Sequence, residues 1–221
     1  MSQNVVITGA NRGIGLALAC FYAQQGDRVI GVCRQSSAEL DAVAAQVIQG
    51  IDVTQPQSVE DLAQHLAGTS IDLLINNAGL LADEVLGELD FASIQRQMEV
   101  NAYAPLRVTE ALLPCLGRGS KVAMITSRMG SIADNDSGGR YGYRASKAAL
   151  NAFGKSLAMD LKPQGIAVAL LHPGYVQTRM VNFSGLISTE ESAKGLAQRI
   201  ADLNLENTGR FWHSNGDPLP W

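Results

Sequence analysis

Cysteine and histidine are scarce in these 221 residues, with three of each. Cys20, Cys33 and Cys115 are odd in number, far apart and without a CxxC pair. That usage suits free, mostly buried thiols in a reducing cytoplasm rather than a disulfide framework. His65, His172 and His213 are scattered, with no carboxylate or cysteine at ligand spacing, so no metal site is expected. Charged residues make up only 17% of the chain and the net charge is −4. A basic face for nucleic acid is therefore lacking. No apolar run approaches the roughly 20 residues of a membrane span; Ile166 to Leu171 has the length of a buried strand instead. The N-terminus has no basic segment leading into an apolar one, so no signal peptide is expected and the location read is cytoplasmic.

What is present is 46% hydrophobic residues in a length that fits one domain, residues 1–221, with a single substantial core. Short β-branched runs alternate with helical stretches, without a repeat or a linker. Strands are predicted at Val5–Ile7, Arg28–Cys33, Ile71–Ile75, Lys121–Thr126, Gly165–Leu171 and Arg210–His213, with a further short one before Asp52. Helices are predicted from Leu16 to near Gly26, from about Ser37 to Val47, from Pro56 to Leu66, from Phe91 to Leu113, around Tyr143 to about Lys162, and from Thr189 to Leu203. The alternation predicts an α/β fold: one Rossmann-type doubly wound domain with a mainly parallel seven-stranded sheet and helices on both faces.

The polar or glycine-rich loops follow strands, after Thr8, Cys33, Ile75, Thr126 and Leu171, and would open together on one edge of such a sheet. The first is Thr8-Gly9-Ala10-Asn11-Arg12-Gly13-Ile14-Gly15, between a strand and a helix. Its glycines permit a tight turn and close backbone approach to a pyrophosphate, which the free N–H groups of the helix N-terminus would hold. Where the second strand ends, an acid would select NAD, but Cys33-Arg34-Gln35 stands there. Arg12 and Arg34 near a ribose 2′-position suit a phosphate, since guanidinium forms forked, charge-assisted bonds to its oxygens. NADP(H) is the cofactor these residues predict. Asn76-Asn77-Ala78-Gly79 after the fourth strand reads equally as a ligand-facing turn and as ordinary Asn-Gly turn chemistry. Asn101, inside a helix, competes for backbone hydrogen bonds and marks a local distortion.

Tyr143 and Lys147, four apart, lie on one helix face. An ammonium beside a phenol favours the phenolate and lowers its pKa, which makes the Tyr a proton donor or acceptor near neutral pH. The same helix is apolar or small on more than one face (Ala148, Ala149, Leu150, Ala152, Phe153, Leu157), which predicts a subunit contact and a homo-oligomer, dimer or tetramer.

In this order, and over essentially the whole chain, these motifs resemble the classical short-chain dehydrogenase/reductase family. Thr8–Gly15 matches its TGxxxGxG cofactor turn, Asp52-Val53 its adenine-contacting pair, and Asn76-Asn77-Ala78-Gly79 its NNAG motif. The resemblance implies a catalytic set of Asn101, Ser127, Tyr143 and Lys147, with Asn101 helping to hold a water chain to the lysine. It implies that Gly9, Asn11, Arg12, Gly13, Ile14, Gly15, Arg34, Asp52, Val53, Asn77, Ala78, Gly79, Tyr143, Lys147, Pro173, Gly174, Val176 and Thr178 bind the cofactor. The stretch from Ser127 through Ala152 and the closing Leu219-Pro220-Trp221 are similar to the C-factor/Sniffer group of carbonyl reductases. The loop between Ser127 and Tyr143 is somewhat longer than in the commonest members, which leaves Ser131 as a rival for the serine role. The segment after Thr178 is short and implies an open pocket, for which Arg128, Met129, Tyr175 and Met180 are candidate lining residues. The implied activity is NADPH-dependent reduction of a small aldehyde, ketone or quinone. The alternative is a dinucleotide-binding signalling or sensor protein of the C-factor type.

Overall fold

The computed structural model describes residues 2–221. Seven strands form one sheet: β1 (Asn4–Thr8), β2 (Arg28–Val32), β3 (Gln46–Ile48), β4 (Ile71–Asn76), β5 (Leu116–Ile125), β6 (Ala167–His172) and β7 (Phe211–His213). Seven helices surround it: α1 (Gly13–Gln24), α2 (Ala38–Val43), α3 (Pro56–His65), α4 (Phe91–Met98), α5 (Ala104–Ala111), α6 (Tyr141–Leu161) and α7 (Thr189–Asp202). The spatial order is β3-β2-β1-β4-β5-β6-β7, and every neighbouring pair is parallel. The order reverses between β1 and β4, so the loops after these two strands diverge and leave the crevice where α/β sheets hold ligands.

Strand periodicity divides the buried side chains between two cores. Val5 and Ile7, Leu73 and Ile75, Ala123 and Ile125, and Ala167, Ala169 and Leu171 face one side, with Leu18 and Ala19 of α1 and Leu196 and Ile200 of α7. Val6, Leu74, Val122, Met124 and Val168 face the other, with Leu62 of α3, Val108 of α5 and Leu150, Ala158 and Leu161 of α6. Both faces are covered, which is why the strands read as continuous apolar runs.

Two helices differ from their sequence reading. The stretch from Ser37 to Val47 is helical only to Val43. The backbone turns extended at Ala44, and Gln46–Ile48 pairs with Ile30–Val32 as an edge strand. The β-branched Val47 and Ile48 serve the sheet better than a helix. The predicted helix from Phe91 to Leu113 is interrupted: α4 passes through a π turn, Glu99–Tyr103, before α5. Asn101 lies in that turn, as its mid-helix position led one to expect. Of the three free cysteines only Cys33 is fully buried; Cys20 and Cys115 are half-buried.

Candidate active site

The glycine turn is shaped by contacts that no side chain could share. Gly9 and Gly13 have φ of +65° and +55°. A Cβ on Gly15 would lie 2.5 Å from Asn77 Nδ2, and one on Gly9 3.0 Å from Ala78 Cα. The strap after β4 is thus seated on the turn after β1. Asn77 Nδ2 donates to the carbonyls of Thr8 (3.0 Å) and Gly9 (3.1 Å), while Thr8 Oγ1 accepts from the backbone N–H groups of Asn77 and Ala78. Asn77 therefore builds the turn, and Ala78 and Gly79 present backbone at its edge. Asn11 Nδ2 donates to Gln35 O at 2.8 Å and ties the turn to the loop after β2.

A cradle at the start of α1 results. No acidic residue stands in the first turn of that helix, so its free N–H groups and partial positive charge face no competing carboxylate. Arg12 and Arg34 are both exposed, and neither forms an ion pair among the described residues. Asp52 Oδ1 accepts from Thr54 N and Oγ1, which leaves Oδ2 without a donor among the described residues. Val53 is partly buried beside it, against the α3/α5 core. Across the crevice, Gly174 turns at φ +91°, and Thr178 Cγ2 would lie 3.5 Å from a Cβ on Gly13. Val176 bridges to Ile187, Pro173 O accepts from Ser192 Oγ at 2.7 Å, and the segment is held over the cradle. Steric room, unpaired cations and helix polarity fit a dinucleotide that carries an extra phosphate.

Beyond the cradle, Ser127, Tyr143 and Lys147 come together, all almost fully buried. Ser127 caps the short 3-10 turn Arg128–Gly130, its Oγ accepting from Met129 N at 3.1 Å. A Cβ on Gly130 would lie 2.7 Å from the carbonyl carbon of Lys147, so this turn rests directly on α6. Lys147 Nζ donates to Ile125 O at 2.9 Å and lies 5.8 Å from the centre of the Tyr143 ring. Burial pushes the Tyr143 phenol up from its ordinary value; the Ser127 hydroxyl and the Arg140 charge pull the other way. Burial lowers Lys147 to about 7. The net direction at Tyr143 is therefore upward, against the expected lowering, and Lys147 is not among the groups that move it. Both groups are taken out of water, and burial disfavours the charged form of each.

Ser131, the rival serine, is occupied elsewhere. Its Oγ donates to Trp221 O (3.2 Å) and accepts from Asp134 N (3.1 Å). Asn101 is fully buried; its Oδ1 accepts from Leu80 N (2.7 Å), and its Nδ2 donates to Leu80 O (2.7 Å) and Ser146 Oγ (3.0 Å). It joins the π turn to the loop after β4 and to α6. Of the pocket candidates, Arg128 pairs with Asp134, Tyr175 OH bonds Ser184 Oγ, and Met180 Cε approaches Gly79. Sequence patterns gave no sign of Glu84, Gln97 or Ser146, whose polar side chains are buried under the site.

Residues 3–186 match the family model for short chain dehydrogenases, and the chain belongs to that family. It is 42% identical, over 99% of its length and 100% of the relative's, to a 1-hydroxy-2-glutathionyl-2-methyl-3-butene dehydrogenase of a Rhodococcus species. It is 46% identical to the C-signal protein of Myxococcus xanthus over 68% of this chain and 93% of that one. A carbonyl reductase of Pseudomonas aeruginosa in complex with NADP superposes with a TM-score of 0.88 at 37% identity, covering 100% of both chains. Short-chain dehydrogenases are oxidoreductases, and the similarity to C-signal and to a carbonyl reductase agrees with the group that the Ser127–Ala152 stretch indicated.

Proposed function

We propose that the chain is an NADPH-dependent carbonyl reductase acting on a small aldehyde, ketone or quinone. The observation that carries this reading is the convergence of Ser127, Tyr143 and Lys147 beside a glycine cradle flanked by unpaired Arg12 and Arg34. Gly9, Asn11, Arg12, Gly13, Ile14, Gly15, Arg34, Asp52, Val53, Asn77, Ala78, Gly79, Pro173, Gly174, Val176 and Thr178 would hold NADP(H), some by contact and some, like Asn77, by shaping the turn. When bound, the reduced nicotinamide supplies the hydride. Ser127 Oγ orients the carbonyl oxygen and stabilises the charge that develops on it. Tyr143, kept protonated by burial, gives its proton to that oxygen. Lys147 Nζ, with one donor committed to Ile125 O, has two left to anchor a hydroxyl-bearing ligand and restore the proton.

The test is loss of reduced-nicotinamide absorbance with NADPH and with NADH across aldehydes, ketones and quinones. Turnover with NADPH well above NADH is expected. The similarity to the C-signal protein favours a second reading, a dinucleotide-binding signalling protein. Tight NADPH binding without turnover of any carbonyl would establish it. We also propose a homo-oligomer: Ala145, Ala152 and Met159 of α6, with Tyr103, stand exposed on the chain by itself.

A further inference from the structure

Glu84 is a buried carboxylate, 4% exposed, that the chemistry above does not use. It lies in the segment between β4 and α4, far in sequence from the helix it touches. Its Oε2 accepts from the backbone N–H of Gly142 at 3.1 Å. Its Oε1 accepts from Ser93 Oγ at 3.2 Å and from Gln97 Nε2. Gln97, wholly buried, accepts from Ala82 N at 3.0 Å through its own oxygen, and Glu84 O accepts from Arg140 N at 3.2 Å. The segment after β4, helix α4 and the first turn of α6 are thereby joined through one carboxylate.

Gly142 is the second residue of α6, and Tyr143 the third. The residue that would normally cap α6, Arg140, is left-handed at φ +49° and supplies no side-chain cap. Glu84 fills that role from 58 positions away, placing an acid where the helix presents its positive end. The approach needs a glycine: a Cβ on Gly142 would fall 2.5 Å from Gln97 Nε2 and 2.9 Å from Ile94 Cα.

We propose that Glu84 is a positioning residue for Tyr143, clamping the start of α6 so that the phenol is held at reacting distance from the substrate oxygen. This rests on the reading of Tyr143 as the proton donor given above. A carboxyl group with two accepting oxygens suits the spot, because all three neighbours donate to it. An amide at position 84 would set an N–H2 group against the Gln97 and Ser93 donors and leave one of them without a partner. Reversing the pair satisfies every group again. In E84Q/Q97E, the amide oxygen at 84 accepts from Gly142, its N–H2 donates to Ser93 Oγ and to the carboxylate at 97, and that carboxylate also accepts from Ala82.

The test compares wild type, E84Q, Q97E and the double variant by hydrogen exchange at the start of α6, NADPH affinity by fluorescence, and kcat at saturating NADPH. In E84Q, exchange at Gly142 should quicken at least about tenfold and kcat should fall about 10- to 100-fold, the scale of a small displacement of a reacting group. NADPH affinity should stay within about threefold, and the double variant should recover both exchange and kcat. In a Tyr143→Phe background, E84Q should lower the residual rate no further. Unchanged exchange in E84Q, failure of the double variant to recover, or a matched loss of kcat and NADPH affinity would overturn the proposal. A wild type that binds NADPH but reduces no carbonyl defeats the reductase reading alone, since exchange reads the clamp by itself. Should E84Q fold poorly, Ser93→Ala removes a single donor and should quicken the same amides by a smaller factor; no change there also overturns it.

Discussion

Lys147 Nζ sits 5.8 Å from the centre of the Tyr143 ring while donating to Ile125 O at 2.9 Å. The lysine is thus aimed along the end of β5, beside the phenol and not bonded to its oxygen. In the proposed mechanism Tyr143 donates the proton and Lys147 supports it. Replacing Tyr143 by Phe should lower kcat by about 10²- to 10⁴-fold, the usual span for a general acid, with NADPH affinity kept. Steady-state rates and a fluorescence titration check both halves.

The two serines separate cleanly. Ser127→Ala removes the group beside the phenol and should cost about 10²- to 10³-fold in kcat, as losing one donor to a developing oxyanion does. Ser131→Ala releases only Trp221 O and Asp134 N and should leave kcat within a few-fold. Equal losses in the two variants would return Ser131 to contention.

Arg12 and Arg34 face solvent without carboxylate partners among the described residues. Charge-assisted bonds contribute about 1.5–3 kcal/mol each, so Arg34→Ala should weaken NADPH binding by about 10- to 100-fold and barely alter NADH. The ratio of kcat/KM for the two cofactors measures this, and an unchanged ratio would remove the phosphate role.

Acid stability should depend on His172. Burial and the neighbouring His213 lower its pKa to about 3, and its Nδ1 is buried without a partner. The unfolded chain titrates near its ordinary value of about 6.5. Between these values the unfolded state takes up a proton that the folded state refuses, so stability falls as pH drops from about 6.5 towards 3. Thermal melts of wild type and His172→Asn across that range should diverge at neutral pH and converge towards acid, the variant having the flatter slope.

The doubly wound sheet was legible because its central strands are buried on both faces, and runs such as Val5–Ile7 and Ile166–Leu171 need no alternation to be seen. The site was legible where chemistry lies close in sequence, as in Gly9–Gly15 and Tyr143–Lys147. The helix expected over Ser37–Val47 failed because pairing with β2 claims Gln46–Ile48, and no local pattern reports a neighbour across the sheet. Glu84 was invisible for a similar reason: an acid in a polar loop looks solvated until the fold brings Gly142 to it. Nor could the motif alone show the direction in which burial moves Tyr143 and Lys147, because desolvation depends on the whole surround.

Gly130 lies so near the Lys147 carbonyl that even a methyl group has no place between them. The serine-bearing turn and α6 therefore pack as one jaw, and Glu84 fastens the base of that jaw to α4. The opposite jaw, residues 175–187, is held by its own turn bonds and by Val176 against Ile187, and it carries the exposed Tyr175, Met180, Phe183 and Leu186. Side-chain changes at those four exposed positions meet open space, whereas added bulk at Gly130 or Gly142 would shift the Ser127 turn or the start of α6.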